Sequence, residues 1–188
     1  MNFEILENFE WYNEPENVRF EGDAMVVYPK VGTGFWQSIH RGYKRDNGHF
    51  FFCRKNGDFS ISLGWRVGEI IQFAENGIML RIDERNWFKA TIEKETSNDF
   101  IITSSLTQQG HSDWAKTKIE SFKGDIWFRL VKIGDEYEIF YSVDGNIFTK
   151  FRMFYLPVFE DVKVGAYISS LEDEANSQLL DIFLDNPF

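Results

Sequence analysis

The residues best suited to chemistry in this sequence are tryptophans that lie close to charged side chains. Trp87 and Lys89 are two residues apart, so in a β-strand they share one face while Phe88 points to the other. A ring beside a cation suits a sugar, because aromatic rings pack on apolar faces of a pyranose and fixed polar groups hydrogen-bond to its hydroxyls. This pair is therefore the first candidate for a binding surface.

Other tryptophans and polar residues could converge on the same surface. Trp36 and Trp114 lie in separate segments, and the alternative for each tryptophan is a structural ring packed inside the protein. A buried arginine must pair with a carboxylate or bind an anion, so Arg129 could form a structural ion pair with Asp113 or contact a ligand. The remaining polar candidates are His49, Glu75, Arg81, Lys89 and Arg152.

A glycosidase would need two carboxylates about 5 to 10 Å apart, one of them with a raised pKa. Glu93 and Glu95 are two residues apart and would share a strand face at about 7 Å. A solvated strand end explains them better, since they run into the polar turn 96–99. We therefore expect no catalytic residues and favour a protein that is not an enzyme.

No pattern in the sequence indicates a metal or a cofactor. His40, His49 and His111 are far apart and lack paired ligand spacing, and phosphate-binding glycine loops are absent. Cys53 is the only cysteine, so no intramolecular disulfide can form, and its Phe50-Phe51-Phe52 neighbours predict a buried thiol. We expect no metal site and no cofactor.

The net charge of −10 argues against nucleic acid or an anionic membrane as the partner, because proteins that bind these usually carry a basic patch. The amino-terminal residues resemble neither a signal peptide nor a membrane span, so the cytoplasm is the expected compartment. With 188 residues, the chain suits one domain spanning 1–188. Its 20 phenylalanines supply a core and leave rings for a surface.

Short alternating runs predict an all-β protein. The stretch 73–93 indicates two strands that fold back on each other through the turn 83–86. Each strand has an apolar face and a face that carries a charged residue beside a large side chain. In the run Phe59 to Val67, Ser60, Ser62 and Gly64 alternate with large apolar residues, and these small residues should leave a hollow on one sheet face. About a dozen such strands predict a two-sheet antiparallel jelly-roll sandwich.

Several short motifs, taken in order, resemble the DUF1349 family of the concanavalin A-like lectin/glucanase superfamily. The motifs are Phe35-Trp36, Asn47-Gly48-His49, Asp58-Phe59, Phe73-Ala-Glu-Asn-Gly77, Trp87-Phe88-Lys89, Ser112-Asp113-Trp114, Arg129, Tyr141-Ser-Val-Asp-Gly145, Arg152 and Val164-Gly165. The resemblance covers nearly the whole chain. It implies a jelly roll with a concave sheet face, in a family whose molecular function is largely uncharacterised. The glutamate and aspartate signature of the superfamily's glucanases is absent here.

Three functions remain open from the sequence, and a glycoside hydrolase is the least favoured of them. The first is non-catalytic binding of a carbohydrate or small polar metabolite on the concave face, through the residues named above. The second is a protein-interaction module that regulates a metabolic enzyme, which the resemblance suggests because it extends to a yeast protein named for such a role. Exposed aromatic residues could serve either partner.

Overall fold

A computed structural model describes residues 6–39, 41–68, 73–96, 99–120, 122–158 and 160–187, so His40 lies outside the described residues. All the named elements in these ranges are β-strands. They are β1 (Glu10–Tyr12), β2 (Asn17–Glu21), β3 (Ala24–Tyr28), β4 (Phe35–Ile39), β5 (Tyr43–Asp46), β6 (His49–Lys55), β7 (Phe59–Val67), β8 (Ala74–Asp83), β9 (Asn86–Lys94), β10 (Phe100–Gln108), β11 (His111–Ser112), β12 (Ala115–Ile119), β13 (Asp125–Ile133), β14 (Glu136–Ser142), β15 (Thr149–Tyr155), β16 (Val162–Ser170) and β17 (Ser177–Asp185).

The strands form two large antiparallel sheets. The eight-stranded sheet has the order β1-β6-β16-β8-β9-β10-β11, with β12 also paired to β10. The seven-stranded sheet has the order β15-β14-β13-β7-β17-β3-β2. Neighbours such as β16 and β8 are far apart in sequence, which confirms the jelly-roll sandwich that the alternating runs predict.

The apolar core lies between the two sheets. Ile61 and Leu63 of β7 are fully buried against Ile78 and Leu80 of β8, as the alternating pattern of both strands requires. Each such side chain contributes about 1.5 to 3 kcal/mol when it leaves water. Cys53 belongs to this core, as expected, and burial raises the pKa of its thiol to about 11.

A small third sheet covers part of the outer face of the eight-stranded sheet. Strands β4 and β5 form a hairpin, and Phe35 of β4 is fully buried in a second apolar cluster. The other members of that cluster come from the large sheet and are Phe50, Phe52, Met79, Trp87 and Tyr167. The hairpin therefore turns what would be an open sheet face into a buried layer.

The fold contains more strands than the sequence predicts. The polar stretch 41–48 contains β5, and the stretch 110–114 contains β11. These strands are short and polar, and β5 exists only because it pairs with β4 across the outer face. The central hairpin of β8 and β9 is confirmed, with its turn between Asp83 and Asn86. The described residues contain no helix that is long and apolar enough to cross a membrane.

Candidate functional site

The outer face of the eight-stranded sheet carries a row of ionisable side chains on its central strands. Asn76 of β8 pairs with Ile92 of β9, so Glu75 and Glu93 lie opposite each other one step further along. On the other side of β8, Ser169 of β16 pairs with Glu75. Strict alternation along each strand thus places two carboxylates side by side on the outer face.

Lys89 and Glu75 form a buried ion pair at this place. The Lys89 Nζ lies 2.7 Å from Glu75 Oε1 and 2.6 Å from Oε2, and both side chains are almost fully buried. Tyr167 and Ser169 also donate hydrogen bonds to Glu75 Oε2. Trp36 covers the cation, with the Nζ 4.2 Å from its ring centroid. The charges are compensated by one another and by hydroxyl donors, as buried charges require.

Glu93 is the second carboxylate, and no cation among the described residues forms an ion pair with it. Thr91 donates to its Oε1 at 3.1 Å, and the Thr103 hydroxyl donates to the same oxygen. Burial, followed by repulsion from Glu75, raises the pKa of Glu93 to about 7, against 4.5 for an ordinary glutamate. The two carboxyl groups therefore differ in their surroundings, because Lys89 contacts Glu75 directly.

A small pocket opens beside these two carboxylates. Its volume is about 80 Å³, and Trp36, Phe73, Thr33 and Leu171 line it together with Glu75, Glu93 and Ser169. Phe73 has a backbone φ of 66°, a left-handed conformation that costs energy for a bulky residue and is often found at functional sites. The pocket can hold one edge of a hydroxylated molecule between an aromatic ring and acidic acceptors.

Glu93→Gln should remove a pH dependence of folding. Between pH 4.5 and 7 the folded protein keeps a proton on Glu93 that the unfolded chain releases, so this contribution to stability is full below pH 4.5 and is lost as the pH rises through 7. The loss is on the order of 3 kcal/mol. Urea unfolding from pH 4.5 to 8 should show a decline in wild type that is absent in Glu93→Gln. The control is Glu95→Gln, and equal slopes in wild type and Glu93→Gln would refute the assignment.

The prediction that Trp87 offers an open ring is wrong. Its side chain is fully buried in the second apolar cluster, 6.2 Å from Phe35 between ring centroids. The face was assigned correctly, but the β4–β5 hairpin covers it. Trp36 is partly buried beside Lys89, whereas Trp114 is 42% exposed between β11 and β12. The three tryptophans therefore do not form one open cleft.

Two other candidates hold structural positions. Arg81 is buried and donates two hydrogen bonds to Asp46, of 2.7 and 2.9 Å, while its guanidinium stacks on Tyr12 and Phe35. The Nδ1 of His49 lies 2.5 Å from the Asn13 carbonyl oxygen, and its Nε2 accepts from the Lys30 amide at 3.0 Å. Burial lowers the pKa of His49. Arg81 and His49 thus attach the amino-terminal segments to the sheet.

The structure rearranges the predicted arginine pairs. Asp113 pairs with Arg152 and not with Arg129: the Arg152 Nη2 lies 2.5 Å from Asp113 Oδ2, and its Nη1 donates to Ser104 at 2.9 Å. Arg129 belongs to the seven-stranded sheet, where its Nε donates to Ser62 at 2.9 Å. The alternating pattern predicts on which face of its strand a side chain lies, but only the strand topology determines to which of the two sheets the strand belongs.

The sequence missed the acidic partner of Glu93. The prediction paired Glu93 with Glu95, yet Glu95 is exposed and forms an ion pair with Lys116. The carboxylate beside Glu93 is instead that of Glu75, on the neighbouring strand β8. Tyr167, Ser169 and Thr103 were missed as well. The available signal was the alternation of the central hairpin, but the turn at 83–86 alone would place position 75 opposite 94. A β-bulge between Arg81 and Asp83 shifts the register by one residue and brings position 75 opposite 93.

The fold and the site define the class of this protein: an antiparallel jelly-roll β-sandwich with a buried acidic and basic cluster on the outer face of one sheet. Part of the structure of the GH43 BlXynB protein from Bacillus licheniformis has the same fold, with a TM-score of 0.74 and 12% identity over 95% of this chain and 37% of that one.

The chain belongs to the family described as "Protein of unknown function (DUF1349)", whose model matches residues 11–178. It is 28% identical to the "Regulation of enolase protein 1" of Saccharomyces cerevisiae over 155 residues, which is 82% of this chain and 77% of that protein. A crystal structure of a functionally unknown protein from Saccharomyces cerevisiae superposes with a TM-score of 0.89 and 26% identity, over 97% of this chain and 98% of that one.

Proposed function

We propose that this protein binds a carbohydrate or a related small polar metabolite at the pocket beside Trp36, without converting it. One observation carries the proposal: a partly buried tryptophan and two adjacent carboxylates line the same pocket. The ring provides a surface for C–H groups, and Glu93 provides a polar group for hydroxyls. The proposal includes the cytoplasm as the compartment, as expected from the sequence.

The hydrogen bonding of Glu75 supports binding over catalysis. A retaining glycosidase needs one free carboxylate as a nucleophile beside a protonated acid. Glu93 has the raised pKa of such an acid, but Glu75 already accepts from Lys89, Tyr167 and Ser169. A carboxylate whose lone pairs are occupied in this way is a poor nucleophile, so the pair is better suited to fixing a ligand.

Trp36→Ala should lower the affinity for this ligand at least about tenfold, because it removes the stacking surface. Calorimetric titration with a panel of mono- and disaccharides and polyols measures the effect. Trp114→Ala is the matched control, since that ring is exposed and lies outside the lining of the pocket. The proposal would be contradicted if no compound in the panel gave a heat of binding, or if wild type and Trp36→Ala bound with equal affinity.

A second candidate function is an interaction with a metabolic enzyme. The observation that favours it is the 28% identity to the yeast protein named "Regulation of enolase protein 1" across 82% of this chain. The same preparation distinguishes the two candidates. A complex with enolase on size-exclusion chromatography, with no binding to any sugar or polyol of the panel, would favour the interaction module. A ligand response without a complex would favour the pocket.

A further inference from the structure

The outer face of the seven-stranded sheet, on the opposite side of the molecule, contains a trough along β7. Ser60 and Ser62 form its floor, in the run whose small residues predict a hollow, whereas Trp127 and Asp181 cover Gly64. Strands β13 and β17 flank β7 on its two sides and supply larger side chains to the walls. The trough has a volume of about 610 Å³, within the range of about 300 to 1,000 Å³ typical of ligand sites.

The register of the three strands fixes the walls of this trough. Across Ser62, Phe183 of β17 lies opposite Arg129 of β13. Across Gly64, Asp181 lies opposite Trp127, and the indole Nε1 donates to Asp181 Oδ2 at 3.3 Å, which closes that end. The middle of the trough therefore has an aromatic ring on one wall and a cation on the other.

Phe183 is the aromatic platform of the trough. Its side chain is 59% exposed, although the neighbouring Ile182 is buried in the core. Asp181 and Asp185 are on the same strand face, each about 7 Å away along the strand. An exposed ring between two carboxylates offers an apolar surface with hydrogen-bond acceptors on both sides, which is the arrangement that suits a sugar ring.

Arg129 is held in place on the opposite wall. Its guanidinium lies 3.8 Å from the ring centroid of Phe148, and its Nε donates to Ser62 Oγ at 2.9 Å. Within the described part of the chain its Nη groups donate to no protein acceptor, so their hydrogens are available to a ligand oxygen. The side chain is thus oriented before any ligand arrives, which lowers the entropic cost of binding.

The charges select the kind of ligand. The lining contains three carboxylates, those of Asp144, Asp181 and Asp185, and one guanidinium, that of Arg129, and this excess of negative charge disfavours an anionic ligand. Arg129 in turn disfavours a cation at the centre. Neutral hydroxyl groups satisfy both kinds of residue, because each can donate to a carboxylate and accept from a guanidinium.

We propose that the trough along β7 is a binding site for a neutral oligosaccharide, with one sugar ring stacked on Phe183 and its hydroxyls bonded to Arg129, Asp181 and Asp185. This site is separate from the pocket beside Trp36, because the two lie on the outer faces of different sheets. It gives the protein a surface for an extended glycan, whereas the pocket beside Trp36 has room for only a small group.

The test is a titration of the full chain with neutral hexasaccharides (xylo-, cello-, manno-, laminari- and maltohexaose), observed through the indole N–H signals in ¹⁵N-labelled protein. At least one sugar should shift the Trp127 signal, since that indole bonds to Asp181 at the end of the trough. Phe183→Ala should weaken binding about tenfold. The control Tyr155→Ala, which removes a ring of similar exposure from β15, should leave the affinity unchanged.

The outcomes separate this inference from the proposed function. A silent Trp127 signal across the panel, or unchanged affinity in Phe183→Ala, would overturn the trough site. If Trp36 still responded to ligand, the proposed function would survive that result. A Trp127 response that depends on Phe183, with Trp36 silent, would support the trough and leave the proposed function without its pocket.

Discussion

Lys89→Met is expected to lower the free energy of unfolding by about 3 to 5 kcal/mol. The Lys89 Nζ lies within 2.7 Å of both oxygens of Glu75, and it is the cation that directly contacts this carboxylate in the described structure. Methionine fills a similar volume, so the loss would come from charge and not from a cavity. What remains is a buried glutamate with a second carboxyl group, Glu93, beside it.

Urea unfolding at pH 7 measures the effect, and a second substitution identifies its cause. The double variant Lys89→Met/Glu75→Gln should recover much of the lost stability, because no uncompensated charge is left in the protein. Lys116→Met removes the exposed pair with Glu95 and should cost at most about 1 kcal/mol. A loss below 1 kcal/mol in Lys89→Met would show that the pair is hydrated and that this sheet face is open.

Phe35→Ala should uncover the outer face of the eight-stranded sheet. Phe35 is fully buried, with ring centroids 5.6 Å from Tyr167 and 6.2 Å from Trp87, so its truncation should cost about 3 to 5 kcal/mol. In the described ranges of the chain, β4 and β5 form a two-stranded sheet of their own, with no ladder to either large sheet. Loss of this anchor should therefore loosen the hairpin and admit water to Trp87.

Fluorescence quenching by acrylamide and the hydrogen exchange of the Trp87 indole N–H report on this change. Both should increase in Phe35→Ala under conditions in which the protein remains folded. Phe20→Ala, at a ring that is 55% exposed, is the control and should change stability by at most about 0.5 kcal/mol. Unchanged protection of Trp87 in Phe35→Ala would mean that the hairpin does not depend on this ring.

The faces of the strands could be predicted from the sequence because alternation has a period of two. Ile78 and Leu80 are in the core, as predicted, and Lys89 and Trp87 share the outer face. The same rule predicts the trough, since Ser60 and Ser62 alternate with buried residues of β7. Local chemistry thus settles which way a side chain points.

The covering of each face could not be predicted, because it depends on contacts between distant segments. Nothing near Trp87 in the sequence indicates that Phe35 will lie over it. Nothing near Arg129 in the sequence indicates that it lies in a different sheet from Glu75. The partner of Asp113 was wrong for the same reason, since Arg152 reaches it from the edge strand of the other sheet. Topology, and not residue type, decides these contacts.

The most direct test of the pocket follows the indole N–H signals of the six tryptophans while small sugars and polyols are added. We predict that a ligand shifts the Trp36 signal and leaves the buried Trp87 and Trp65 signals unchanged. If every ligand leaves the Trp36 signal where it was, the pocket between Trp36, Glu75 and Glu93 is not a binding site.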